Sequence, residues 1–187
     1  MDLEETNKQL KNIYEGIEEY CKYCDLCCYT YGWIMPCESN KYSEIDNLVT
    51  INDKVVCFDS FEENKSGDKV LEKIPRCKFY GDKNCQINSV KPFDCLLYPV
   101  KVLYLQRERR YAVVLSLDCP YIESLNHNCQ KYLIEKILSF FSSMSPKIKL
   151  EYFKLVKEWE HITKQKRFEY LEILSYSEEE VDKLNTD

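Results

Sequence analysis

The chain has 187 residues, 44% of them hydrophobic, which is enough for a core and excludes global disorder. Lys and Arg number 26 against 32 Asp and Glu, and the net charge of −6 argues against a phosphate-binding surface, so no nucleic-acid partner is expected. No apolar run approaches the roughly 18 residues of a membrane span, and the opening Met-Asp-Leu-Glu-Glu has neither the basic start nor the apolar stretch of a secretory signal. A soluble cytoplasmic protein without membrane contact is the expectation.

Residues 3–20 read as one helix, because Leu3, Leu10, Ile13, Tyr14, Ile17 and Tyr20 recur at threes and fours between Glu and Lys. Val55-Val56-Cys57-Phe58 and Val70-Leu71 read as short strands joined by a polar loop over 62–68. The clearest β signal is a hairpin, 100–106 against 111–117, turning at Arg107-Glu108-Arg109-Arg110; these arginines read as a solvated turn. From 127 onward the period is helical. Leu133, Ile134, Ile137, Leu138 and Phe141 mark one helix, and Ile148, Tyr152, Leu155, Val156, Trp159 and Ile162 mark the next. Ser145-Pro146 supplies a cap and a first-turn proline for the second of these. Ser177 and Glu180 have the spacing of a capping box ahead of Val181 and Leu184.

Eleven cysteines are several times ordinary usage. A reducing cytosol argues against disulfides, and the thiols are grouped rather than scattered, which favours metal binding. The first group is Cys21-Lys-Tyr-Cys24-Asp-Leu-Cys27-Cys28. Cys21, Cys24 and Cys27 match the start of a C-x2-C-x2-C iron–sulfur run. The side chains of neighbours such as Cys27 and Cys28 diverge, so they serve different metal centres or one of them is structural. The second group is Cys77, Cys85 and Cys95, with Gly81-Asp82 suited to a tight turn and Lys91-Pro92 re-aiming the chain before Cys95. Cys119-Pro120 has the form of a remote ferredoxin ligand. Cys37, Cys57 and Cys129 stand apart and read as core or free thiols. His127 and His161 are the only histidines and lack HExxH spacing; His127 reads as an exposed loop residue. With only 4 glycines there is no phosphate-cradling loop, and no GxSxG elbow occurs.

These blocks resemble the YkgJ-type cysteine-cluster family, described as a zinc- or iron-chelating CxxCxxCC domain. The likeness pairs Cys21, Cys24, Cys27 and Cys28 with Cys77-Lys-Phe, Cys85-Gln-Ile, Lys91-Pro92 and Cys95-Leu-Leu-Tyr98-Pro99, with Cys119-Pro120 downstream. It covers roughly residues 20–120. The family pattern has Arg where this chain has Lys91, and Lys cannot reproduce bidentate hydrogen bonding. Membership implies metal binding. Flagellin lysine methylases carry a similar block, which keeps an enzymatic role open.

The expectation is a single α+β domain over 1–187. A small β-hairpin layer and cysteine-bearing metal loops form a core at 20–120, packed by N-terminal helices and by a helical C-terminal extension at 127–187. Cys21, Cys24, Cys27, Cys28, Cys77, Cys85, Cys95 and Cys119 are the candidate metal ligands. Iron, as an iron–sulfur cluster, is favoured over zinc because Cys27 and Cys28 exceed what a zinc ribbon needs. The function expected is that of an intracellular metalloprotein. The alternatives are a zinc-bearing structural or interaction module that docks a protein partner, and a metal-dependent enzyme modifying a protein substrate. Oligomeric state and catalytic residues are not legible.

Overall fold

The computed structural model describes residues 2–21, 24, 33–43, 48–51, 55–58, 62–63, 69–70, 77, 79–82, 84–160 and 169–184. The fold is α+β: helices pack on antiparallel sheets.

Helix α1 (Leu3–Ile13) starts at Asp2, whose carboxylate accepts the Glu5 N–H at 2.9 Å. The helix expected over 3–20 is interrupted. The Tyr14 N–H closes α1 on the Leu10 carbonyl, and Gly16 takes φ +83°, a region costly for any residue with a Cβ. Helix α2 (Ile17–Cys21) then resumes. Ile13 and Ile17 both pack on the main core, so the apolar period runs through the break and conceals it.

Strand β1 (Trp33–Ile34) leads into a 3-10 helix at Pro36–Tyr42. It then pairs with β3 (Val55–Phe58), which also carries β2 (Leu48–Ile51) on its other edge. The expected strand at 55–58 is therefore present. The polar run expected as a loop from Glu62 instead gives its first two residues to a ladder, β4 (Glu62–Glu63) against β5 (Lys69–Val70). Leu71 and the rest of that loop lie outside the described residues. A second small hairpin, β6 (Tyr80–Gly81) and β7 (Asn84–Cys85), turns where Asp82 has φ +48°. This is the turn expected from Gly81-Asp82.

Cys95 does not lie in a loop. It sits in helix α3 (Phe93–Leu97), which Pro92 starts by fixing the chain at φ −57°. After a cis Tyr98–Pro99 bond the expected hairpin follows as β8 (Val100–Leu105) and β9 (Arg110–Ser116). Its turn is exposed, as expected, and its arginines also make surface ion pairs: Arg109 with Glu178 at 2.8 Å, and Arg110 with Glu108 and Glu172.

Helices α4 (Pro120–Ser124), α5 (His127–Ser143) and α6 (Pro146–Glu160) come next. The segment after 127 is not helical throughout. β10 (Tyr170–Ser177) lies antiparallel beside β9 and completes the sheet order β10-β9-β8. A shift in register between Glu172 and Leu174 turns both Ile173 and Leu174 to the core, which removes the strict alternation that would mark a strand. Helix α7 (Glu178–Lys183) begins with the expected box: Ser177 and Glu180 cap each other reciprocally. Lys157 reaches across from α6 to the Glu178 carboxylate.

One core cluster runs from Leu10 through Phe93, Val113, Phe141 and Phe153 to Val181. Within it the Phe153 ring meets Tyr111 at 5.0 Å and, toward the surface, the half-buried Tyr176 at 5.3 Å. The helices after 127 thus build the same core as α1 and α3. Among the described residues, no helix is long and apolar enough to cross a membrane. Replacing Gly16 by Ala leaves no steric clash but forces a side chain into a left-handed backbone. It should cost about 1 kcal/mol, read as a lower denaturation midpoint; an unchanged midpoint would contradict this account of the break.

Candidate metal centre

Helix α2 delivers the chain to Cys21, and the Cys24 N–H closes a turn on the Cys21 carbonyl at 3.4 Å. Both thiols are half-buried. Helix α2 packs against α4, and the Tyr20 and Tyr121 rings meet edge to face at 5.5 Å. The contact matters because Cys119 occupies the N-cap position of α4 and is buried. Two cysteines remote in sequence are therefore carried on elements that touch.

Tyr14 extends this neighbourhood to Cys95. Its hydroxyl donates to the Leu97 carbonyl at 2.9 Å, tying α1 to the last residue of α3. Burial first, then the nearby Cys119 and Tyr121, hold the phenol far above its ordinary ionisation, so it acts as a donor.

The other end of α3 is held by two carboxylates that local spacing in the sequence does not reveal. Glu38, fully buried in the 3-10 helix, accepts the Phe93 N–H at 2.9 Å and the Met35 N–H at 3.2 Å. Asp94 accepts the Tyr152 hydroxyl at 2.6 Å and the Trp33 N–H at 3.3 Å. Burial pushes Glu38 up to about 7 and Asp94 up to about 6, against the hydrogen bonds that favour their charged forms. Asp94 next to Cys95 is the one local hint. Its partners come from elements that only tertiary folding brings together.

Cys77 precedes the β6–β7 hairpin and Cys85 ends its second strand, opposite Tyr80; both are half-buried. Gln86 secures that hairpin with a backbone bond to Phe79 at 2.7 Å and a side-chain bond to the Gly81 carbonyl at 2.9 Å. Phe79 and Ile87 pack on Ile34 and Tyr42, and the Tyr42 hydroxyl donates to the Val90 carbonyl at 2.7 Å. Burial first, then the nearby Glu38 and Cys95, hold the Tyr42 phenol above its ordinary ionisation, so the hairpin and α3 share a neighbour.

The cysteines read as bystanders have different surroundings. Cys37 is an exposed residue whose N–H donates to Glu151 at 2.7 Å. Partial burial and then the Glu151 carboxylate push its thiol up to about 12, which keeps it protonated and a poor ligand. Cys129 is exposed in the first turn of α5, and His127 is the first residue of that helix rather than a loop residue. Cys57 lies in β3 opposite Trp33. Cys27, Cys28 and His161 fall outside the described residues.

Among the described residues, no three His, Cys, Asp or Glu side chains form a group that could hold a metal ion, and no disulfide joins two described cysteines. The donor set is nevertheless the soft thiolate kind that suits zinc or iron–sulfur binding. No family model, curated protein or solved structure matches the chain. The likeness to the cysteine-cluster family therefore rests on the residues quoted above.

Glu38 has a consequence for stability. A carboxyl whose ionisation lies higher in the folded state than its ordinary 4.5 binds its proton more tightly when folded. Its contribution is complete below that ordinary value and is lost as pH rises through about 7. Glu38→Gln resembles the protonated form, so in metal-free protein its deficit against wild type should shrink between about pH 5 and pH 8. Denaturant midpoints of both proteins at the two pH values test this; a pH-independent gap would contradict it.

Proposed function

We propose that this chain is a thiolate metalloprotein of the YkgJ type, binding iron as an iron–sulfur centre, with zinc as the competing metal. Cys21, Cys24, Cys27, Cys28, Cys77, Cys85, Cys95 and Cys119 are the residues that would hold it. Bound metal would supply a cross-link between segments and, for iron–sulfur, a redox centre. The observation that carries the reading is the run Cys21-x2-Cys24-x2-Cys27-Cys28, whose first pair is joined by one turn at the end of a helix packed against the helix that follows Cys119. Thiolates two residues apart wrap a single ion or cluster edge because the backbone between them curls around it.

A binding role is favoured over catalysis in this reading. The two buried carboxylates are taken up by backbone and tyrosine donors, which suits support of a site rather than proton transfer. A cytoplasmic location and a protein partner or protein substrate belong to the same proposal.

Metal and acid-labile sulfide analysis of anaerobically purified protein tests it. The expected result is brown protein with iron, sulfide and thiolate-to-iron absorption that bleaches on reduction. Colourless protein with near-stoichiometric zinc would transfer the reading to zinc, and protein binding neither metal would sink it. Cys24→Ser and Cys95→Ser should each lose stoichiometric metal, whereas Cys129→Ser should keep it. Equal loss from all three would show that the ligand boundary is misplaced.

A further inference from the structure

We infer that Tyr14 and Tyr152 are positioning residues for Cys95, their hydroxyls fixing the short helix that carries this thiol to the geometry a metal demands; the inference rests on the thiolate-centre reading above. Helix α3 has five residues, and one backbone bond, from the Leu96 N–H to the Pro92 carbonyl at 2.9 Å, spans its first turn. A helix this short does not hold itself in water.

Phe93 and Leu97, four residues apart and both fully buried, anchor one face of α3 in the core. At 3.6 residues per turn Cys95 lies on the opposite side, away from that face, and it is half-buried there. Apolar burial is non-directional, so it keeps α3 on the core without fixing its rotation or its position along the axis.

The hydrogen bonds supply what burial leaves loose. Tyr152 on α6 donates to Asp94 at 2.6 Å, directly before the thiol, and Trp33 and Glu38 hold Asp94 and Phe93 from β1 and the 3-10 helix. Tyr14, which caps the C-terminal end of α1, donates to the Leu97 carbonyl at 2.9 Å, two residues after the thiol. Both ends of the helix are thus tied to separate elements. Metal–ligand distances tolerate errors of only about 0.2 Å, which apolar packing alone would not ensure.

The two tyrosines can be tested without emptying the core. The Tyr152 ring meets Phe93 edge to face at 5.0 Å, a contact that Tyr152→Phe retains while it removes the hydroxyl. Tyr14→Phe likewise removes the donor to Leu97. Ile137→Val, on α5 in the same core, is the comparison that lowers stability without touching α3 hydrogen bonds.

Anaerobically purified holoprotein is challenged with a chelator while metal release and thiolate-to-metal absorption are followed; denaturant midpoints of the metal-free forms are measured alongside. The tyrosine variants should release metal roughly 10- to 100-fold faster than wild type with a shifted absorption band. Ile137→Val should release it at the wild-type rate despite a lower metal-free midpoint. Tyrosine variants with wild-type release and absorption would overturn the inference, and should one variant fail to fold, the other decides. Wild-type protein that takes up no metal is a separate result, because it overturns the thiolate-centre reading itself.

Discussion

Glu38 and Asp94 are carboxylates withdrawn from water, and the donors they recruit come from different parts of the chain: Met35, Phe93, Trp33 and Tyr152. A buried carboxylate without partners costs several kcal/mol, so the donors are constrained as firmly as the acids. The two carboxylates thereby join the 3-10 helix, β1, α3 and α6. Helix α3 lies at the centre of this arrangement. Tyr14 adds α1 to the same arrangement from the far end of α3.

That arrangement explains why an otherwise weak element bears a candidate ligand. Cys95 gains a defined position from its neighbours, and Cys119 gains one by its burial in the core at the N-cap position of α4. The Cys21–Cys24 turn is placed by α2 against α4, and the Cys77–Cys85 hairpin by the packing of Phe79 and Ile87 on Tyr42. Each limb is held by tertiary contacts of its own. Under the proposed function, a metal would join limbs that are each anchored to the core, and the less those limbs must be reordered the less opposes binding.

Much of the scaffold is local and so can be read in the sequence. The β8–β9 hairpin is two apolar, β-branched-rich runs about a charged turn, α5 and α6 keep their period, and Ser177 with Glu180 marks the start of α7. Where reading fails, the cause is a backbone state or a distant partner. Gly16 breaks the first helix through a positive φ while the apolar period continues past it. Strand β10 hides behind an irregular register, and its pairing with β9 spans the whole of α5 and α6. The cysteine spacing announces a thiolate site. The acids and tyrosines around Cys95 cannot be found this way, since, apart from the local Met35 bond to Glu38, their partners lie 55 to 83 residues away in sequence.

The central claim is that thiolate coordination joins the Cys21–Cys28 limb to the segment 77–119. Such coordination is folding free energy as well as binding free energy. A ligand present at 1,000 times its dissociation constant would stabilise the fold by about 4 kcal/mol. Thermal unfolding of metal-loaded and fully stripped, reduced protein measures that link directly. A markedly higher midpoint for the loaded form is the predicted result. Superimposable curves, with metal shown to be bound in one sample and absent from the other, would contradict the claim.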